Sequence, residues 1–214
     1  MSNVIPVSLG MVKTFILQGD RSALVDTGTP GNAGRVLAGL DRQGVKPEDI
    51  SLIVITHSHA DHYGSLAELK QTIKAPVAVH RLDAESMRTG TGQPTGRRRP
   101  SRGGSGPVVP GVEPDILIDD ELELQQYGVS GKVIWTPGHS RGSVSIMMES
   151  GEAVVGDLVL PRFMAFGPPA IAFWSASRED SLASIRKVLD LKPSTILTSH
   201  GGPYRPEVLA RLVR

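Results

Sequence analysis

The chain has 214 residues, with 23 basic and 22 acidic side chains and a formal net charge of +1. This balance does not indicate a nucleic-acid partner, because such proteins usually carry a strongly basic surface. No segment has the length of a membrane span, and the N-terminus lacks the features of a secretion signal. The absence of cysteine excludes disulfides and thiol catalysis. We expect a cytoplasmic protein with a single domain over residues 1–214.

The first half of the chain predicts a strand meander followed by alternating helices and strands. Apolar stretches between residues 3 and 26 predict three short strands, with QGDR as a turn. A helix is predicted over residues 32–44, because Val36, Leu37 and Leu40 fall on one face. The unbroken apolar run in SLIVITH predicts a buried strand, GSLAELKQTI a helix and PVAVH a short strand.

The second half predicts mainly strands, with one long helix near its end. The strand candidates are DILI, ELELQ, KVIW, VSIMM, AVVGD and TILTSH. The helix covers SREDSLASIRKVLDL, where Ser177 is the expected N-cap and Asp180 follows three residues later. Runs of strands interrupted by helices in both halves indicate two sheets enclosed by two helical layers.

Three of the six histidines lie in the segment THSHADHYG, directly after an apolar strand. His57 and His59 are two residues apart, so in extended backbone both can reach one metal ion. Asp61 and His62 lie where the strand gives way to a helix, and they can turn toward a second position. Imidazole and carboxylate groups suit zinc, and also iron or manganese. A metal site explains the segment better than a polar loop, since unpaired polar groups at the end of a core strand are costly.

Three further residues of the metal-binding type occupy the same kind of position. His139 follows KVIW, Asp157 ends the apolar run in AVVGD, and His200 follows TILT. Each has a glycine beside it, which lets the backbone approach closely. Any one of them alone would be explained by a structural role. Their repetition at the ends of predicted strands indicates one shared site.

This ordered set of residues resembles the motifs of the metallo-β-lactamase superfamily of metal-dependent hydrolases. The resemblance extends over nearly the whole chain, from ALVDTG to SHGGP. It implies an α/β fold, the αββα sandwich, with two metal ions at one edge. The residues that the resemblance assigns to the first ion are His57, His59 and His139, those for the second are Asp61, His62 and His200, and Asp157 bridges both.

The resemblance also points to residues that support the ligands. Asp26, in LVDTG, matches an aspartate that braces the metal-binding loop, although a turn residue closing a strand explains it equally well. Tyr63 is close enough in sequence to support the centre, or it packs in the core. His80 matches no ligand position, and a structural role is expected for it.

Departures from the family pattern indicate which branch of the superfamily this chain resembles most. The commonest zinc β-lactamases carry a cysteine where this chain has Asp157, whereas a bridging aspartate is similar to the glyoxalase II, lactonase and phosphodiesterase branches. Acyl-homoserine lactonases place a tyrosine three residues further on, where this chain has Leu160. Glyoxalase II usually binds glutathione with a C-terminal helical region. The residues after the last ligand of this chain leave little room for such a region. The glyoxalase II and lactonase-like branches are nevertheless the most similar.

Two segments are expected to influence the substrate. A Gly/Pro/Arg-rich loop at about residues 89–111 is either a solvated loop or a lid whose arginines clamp an anion. Its arginines are Arg97, Arg98, Arg99 and Arg102. An aromatic segment follows the bridging aspartate, and it predicts a substrate pocket or a homodimer contact. The pocket candidates are Phe163, Phe166, Phe173 and Trp174.

The implied chemistry is hydrolysis by a hydroxide that bridges two divalent ions, with zinc expected and manganese or iron as alternatives. Two such ions, two carboxylates and one hydroxide leave about one positive charge, which favours a hydrolytic transition state. Asp61 is the expected catalytic residue, because it can take the proton after attack. The predicted function is a binuclear hydrolase of a small ester, thioester or lactone. The alternatives are a phosphodiesterase, a mononuclear iron oxidoreductase like persulfide dioxygenase, or a ligand sensor.

Overall fold

A computed structural model of the protein describes residues 4–91, 109–163 and 167–214. Its first sheet contains six strands, hydrogen-bonded in chain order. These strands are β1 (Val4–Ser8), β2 (Lys13–Gln18), β3 (Ser22–Val25), β4 (Ile50–Val54), β5 (Val77–His80) and β6 (Ile116–Ile118). The β1–β2 and β2–β3 pairs are antiparallel, and the pairs from β3 to β6 are parallel.

The remaining strands form a second sheet and a separate short pair. They are β7 (Glu121–Glu123), β8 (Gly131–Trp135), β9 (Val144–Met148), β10 (Glu152–Val154), β11 (Leu160–Pro161), β12 (Pro169–Ala170) and β13 (Thr195–Leu197). The second sheet has the order β13-β10-β9-β8-β7, while β11 and β12 pair with each other. Its strands are antiparallel except for the parallel pair of β10 and β13.

The helices lie outside the two sheets. They are α1 (Ala33–Arg42), α2 (Ala60–Tyr63), α3 (Leu66–Leu69), α4 (Arg81–Thr89), α5 (Arg178–Asp190) and α6 (Pro206–Leu209), with short 3₁₀ helices at Pro47–Asp49, Gln125–Tyr127 and Ala210–Leu212. None of the helices in the described ranges has the length and hydrophobicity that crossing a membrane requires.

Three apolar clusters define the layers of the molecule. Successive side chains of a strand point to opposite faces, so Phe15 and Ile16 of β2 enter different clusters. Phe15 packs between the sheets with residues such as Val133, and Ile16 packs toward the helices α1 and α3. Ile134 of the second sheet packs with Ile185 of α5. The result is the predicted αββα sandwich, and burial on both faces explains why the central strands read as unbroken apolar runs.

Helix α4 is the main element that the sequence analysis did not predict. Its start and end carry recognisable signals, since His80 Nδ1 accepts the Leu82 N–H at 3.2 Å and Gly90 ends the helix with φ of 70°. The helix predicted over GSLAELKQTI is wrong in extent, because regular helix covers only α3 within it. Of the predicted loop at about 89–111, residues 92–108 lie outside the described ranges.

Backbone hydrogen bonds fasten the loops at one edge of the sandwich. Val144 N–H donates across the sheets to the Thr56 carbonyl at 2.9 Å, and Ser199 N–H donates to the Gly156 carbonyl at 3.1 Å. Because β10 and β13 run parallel, their carboxyl ends lie side by side. The loops that follow β4, β8, β10 and β13 therefore meet at this edge, and these are the loops that carry the candidate ligands.

Candidate metal centre

The first group of candidate ligands consists of three imidazoles. His57 Nε2 and His139 Nε2 each lie 3.0 Å from His59 Nδ1. His57 and His139 are buried, and the ligand atoms of all three residues lie within 4.8 Å of one another. Tetrahedral coordination at the usual zinc–nitrogen distances separates neighbouring nitrogens by roughly 3.3 Å. The three nitrogens therefore converge as they would around one ion.

The second group contains two imidazoles and a carboxylate. Asp61 Oδ2 lies 3.2 Å from His200 Nε2 and 3.7 Å from His62 Nε2. His62 Nε2 is buried and makes no hydrogen bond with the described residues. A buried, unpaired ring nitrogen is costly unless something binds it. The donor set of this group, two nitrogens and an oxygen, fits a divalent metal ion.

Asp157 lies between the two groups. Its Oδ2 is 3.6 Å from His139 Nε2 in the first group, and it is 3.5 Å from His62 Nε2 and 3.6 Å from His200 Nε2 in the second. Its other oxygen, Oδ1, is buried and makes no hydrogen bond with the described residues. The carboxylate thus faces both groups at similar distances, and it is not turned into the core.

Hydrogen bonds behind the second group fix which nitrogen of His62 and of His200 faces the centre. His62 Nδ1 donates to Asp26 Oδ2 at 2.8 Å, so its Nε2 points to the centre. His200 Nδ1 donates to the Met11 carbonyl at 2.8 Å, and this hydrogen bond likewise orients the ring so that Nε2 points toward Asp61. Such outer partners orient imidazole ligands and set their tautomer. The structure places Asp26 behind His62, where the resemblance implied a supporting role.

Electrostatics differ between the two groups. Burial is the largest influence on the first group, and it lowers the pKa of His57 well below its ordinary value. Burial also lowers the pKa of His139, to about 4, despite the nearby Asp157 carboxylate. The pKa of His59 is lowered by burial as well. These rings are therefore neutral at pH 7, the form in which imidazole binds metals.

In the second group, the effect of the nearby carboxylates on the histidine pKa values outweighs the effect of burial. Burial lowers the pKa of His62, but the charges of Asp157 and Asp26 outweigh it and hold that pKa well above its ordinary value. The hydrogen bond to Asp61 raises the pKa of His200 in the same way, against burial. Asp157 shows the reverse, because its burial raises the pKa but the His62 charge brings it down to about 2.

The centre opens into a cavity of about 770 Å³, a size typical of small-molecule sites. Of the predicted pocket residues, Trp174 lines this cavity, whereas Phe163 and Phe173 are exposed and do not line it. Phe166 lies outside the described residues. Tyr63 is fully buried in the cluster between the first sheet and its helices.

Asp83 is a site-supporting residue that the sequence analysis missed. It is fully buried on α4, and its Oδ2 accepts the Ser58 N–H at 2.8 Å and the Ser140 hydroxyl at 3.0 Å. Its Oδ1 accepts the Gly142 N–H at 2.8 Å, and a Cβ at that glycine would collide with the carboxylate. One carboxylate thus ties the loop of His57 to the loop of His139. The available signal was an acid on the buried face of a helix, next to Ala84.

The comparison with protein families gives the class of the chain. The sequence model of the metallo-beta-lactamase superfamily matches residues 8–200, so the chain belongs to this superfamily. All of the candidate ligands lie within the matched residues. Proteins of this superfamily typically bind divalent metals, and the described residues of this chain include histidine and aspartate clusters able to hold one.

Individual relatives agree with this membership. The chain is 26% identical over 201 residues to the probable metallo-hydrolase YflN of Bacillus subtilis, covering 84% of this chain and 75% of the relative. It is 30% identical over 209 residues to metallo-beta-lactamase domain-containing protein 1 of Mus musculus, covering 94% of this chain and 67% of the relative. A metallo-beta-lactamase family protein from Thermus thermophilus superposes with a TM-score of 0.69 at 25% identity, covering 98% of this chain and 77% of that one.

Substitution of Asp83 should weaken the first group of ligands. In Asp83→Asn an NH₂ group replaces one accepting oxygen, and this NH₂ group would face the hydrogen-bond donors that the carboxylate accepts from. The loops of His57 and His139 therefore lose a shared anchor. We expect the zinc affinity of the first group to fall by about 10–100-fold, as for other outer partners of metal ligands. A competition titration against a chromogenic chelator measures this affinity. Glu85→Gln, on the exposed side of the same helix, is the control and should leave the affinity unchanged.

The opposite pKa shifts of the two groups predict different pH dependences of metal binding. The raised pKa values of His62 and His200 mean that these rings keep their protons to higher pH than the rings of the first group, and an ion must displace those protons. Affinity of the second group should therefore decrease as pH falls, by about tenfold per pH unit for each displaced proton. Stepwise zinc calorimetry between about pH 6 and about pH 8 measures this. Equal pH dependence of the two binding steps would contradict the prediction.

Proposed function

We propose that the chain is a binuclear metal-dependent hydrolase that acts on a small ester, thioester or lactone, with zinc as the expected metal. The observation that carries the proposal is the position of Asp157, whose Oδ2 lies within 3.6 Å of imidazole nitrogens from both ligand groups. The two ions of binuclear hydrolases are typically about 3.5–4 Å apart and share ligands. A carboxylate that faces both groups supports two ions better than one.

The proposed ligand sets follow the geometry. His57, His59 and His139 would hold the first ion, Asp61, His62 and His200 the second, and Asp157 would contact both. When bound, such ions supply hydroxide at neutral pH and a positive centre for the developing oxyanion. The chain itself supplies fixed ligands, a carboxylate base and an apolar cavity for the substrate.

Asp61 is the proposed group for proton transfer. Its side chain is 39% exposed, whereas Asp157 is buried, so Asp61 can pass a proton onward to solvent in the cavity that it lines. Burial raises the pKa of Asp61, but the charge of His62 and the hydrogen bond to His200 outweigh it. The pKa therefore lies well below its ordinary value, which keeps the carboxylate ionised, the form in which it can take up a proton.

Two observations support hydrolysis in particular. The similar Bacillus subtilis protein YflN is named a probable metallo-hydrolase. The cavity is lined by aliphatic and aromatic side chains as well as the candidate ligands, which suits the acyl part or the leaving group of a small organic substrate. A direct test must distinguish the proposed hydrolysis from iron-dependent oxygenation and from phosphodiester cleavage.

Metal analysis combined with a substrate screen tests the proposed function. We expect two zinc or manganese ions per purified chain, and turnover of at least one class among esters, thioesters and lactones. Phosphodiesters should be poor substrates. One iron per chain with oxygen consumption on a persulfide, or cleavage of phosphodiesters alone, would overturn the proposal. Elemental analysis of the same preparation used for the kinetics connects the two measurements.

Replacement of Asp61 should separate proton transfer from metal binding. Asp61→Asn keeps the shape and one ligating oxygen but removes the basicity. Turnover of the best substrate should fall by about 10²-fold or more, as for other general bases, while the first group keeps its metal. Asp41→Asn, the same change at an exposed residue of α1, is the control and should leave turnover unchanged. Full activity of Asp61→Asn at normal metal content would exclude the assigned role.

A further inference from the structure

The cavity at the metal centre combines an apolar lining with one guanidinium. Its apolar side chains include Met11, Val12, Leu160 and Trp174. Arg35, on α1, is the basic side chain that lines the cavity within the described residues. The acidic side chains of the lining, Asp61 and Asp157, face the ligand histidines. The guanidinium is therefore a charged group of the lining that the metal centre does not use.

The Arg35 guanidinium has no acidic partner within the described ranges, where its one hydrogen bond is donated from Nη1 to the Leu9 carbonyl at 2.7 Å. A guanidinium presents five N–H donors in a planar fork. With Nη1 fixed by the carbonyl, the edge formed by Nε and Nη2 remains available. That edge matches the two oxygens of a carboxylate, a bidentate pairing that lysine cannot reproduce.

A tight turn connects Arg35 to the metal centre. Leu9 N–H donates to the Val12 carbonyl at 2.9 Å and closes this turn. The Leu9 carbonyl accepts from Arg35, and the Met11 carbonyl two residues later accepts from His200 Nδ1. The guanidinium and a candidate metal ligand are thus held by the same short segment. An anion bound at Arg35 would be held at a fixed position relative to the centre.

The neighbouring residue Asn32 offers a second donor. It lies three residues before Arg35, so both side chains lie on the same side of the helix start, and both line the cavity. Asn32 Oδ1 accepts the Thr29 N–H at 3.2 Å and the Thr29 hydroxyl at 3.0 Å. With its oxygen occupied, the Asn32 side chain presents its NH₂ group, a donor, for other contacts.

From these contacts we infer that Arg35, assisted by Asn32, selects substrates that carry a carboxylate beside an apolar group. The inference rests on the proposed hydrolase function and specifies its substrate class. One guanidinium edge and one amide match a singly charged, planar carboxylate, whereas a phosphate dianion calls for more positive charge. The substrate is thus an ester, thioester or lactone with a free acid group away from the bond that is cleaved.

A matched pair of esters tests this inference. The 4-nitrophenyl monoester of glutaric acid carries a free carboxylate, and its primary amide has the same shape without charge. For the zinc-loaded protein, kcat/KM should be about tenfold or more higher for the acid, in line with a charge-assisted hydrogen bond. In Arg35→Gln this ratio should fall toward one, mainly through KM. Arg35→Lys keeps the charge without the fork and should give an intermediate ratio.

Two controls keep the result interpretable. Arg42→Gln, on the same helix but outside the cavity, should retain the wild-type ratio, and melting curves confirm that each variant is folded. A wild-type ratio in Arg35→Gln, or a wild-type preference for the amide, would overturn the inference while leaving hydrolysis established. If neither ester is cleaved, calorimetric binding of glutarate decides: weaker binding by Arg35→Gln supports the subsite, and equal affinity rejects it.

Discussion

The carboxylate of Asp26 is the group on which the metal centre depends. Its Oδ1 accepts the Thr56 N–H, and its Oδ2 accepts both the Thr56 hydroxyl and His62 Nδ1, all at 2.8 Å. These contacts hold Asp26 at a φ of 61°, a left-handed conformation that persists only where the surroundings over-determine it. If the carboxylate turned away, the buried Thr56 N–H and His62 Nδ1 would lose their acceptor. Asp83 plays the corresponding part for the loops of His57 and His139, so two buried carboxylates outside the ligand set hold the two ligand groups.

The sequence predicted the fold and the gathering of candidate ligands because both depend on local signals. Apolar runs such as SLIVIT are long enough to identify buried strands, and the histidines and aspartates follow them directly. Helix α4 was missed because only Ala84 and Met87 mark its apolar face, a weak periodicity. Asp83 could not be found from spacing, since its partners Ser140 and Gly142 lie 57 and 59 residues away.

The residues that line the cavity were equally difficult to predict from local sequence signals. Sequence reasoning concentrated on clusters of arginine and phenylalanine, which are conspicuous in composition, and missed Arg35, which belongs to no such cluster. Its importance comes from tertiary structure, because only the folded chain places its guanidinium against the turn that also holds His200. Trp174 lines the cavity, but its neighbour Phe173 packs edge-on against it outside the lining. Adjacent residues in a loop need not face the same way.

The stability of the fold and the chemistry of the site have separate sources. The seven candidate ligands follow β4, β8, β10 and β13, at one edge of the layers that the three apolar clusters hold together. Ring nitrogens converge to 3.0 Å at the centre, and buried polar atoms lack partners among the described residues, an arrangement that suits a bound ion. An ion that binds only the folded chain adds stability by mass action. The apolar clusters thus hold the ligand loops in fixed positions that suit a metal ion, as catalysis by fixed electrostatic groups requires.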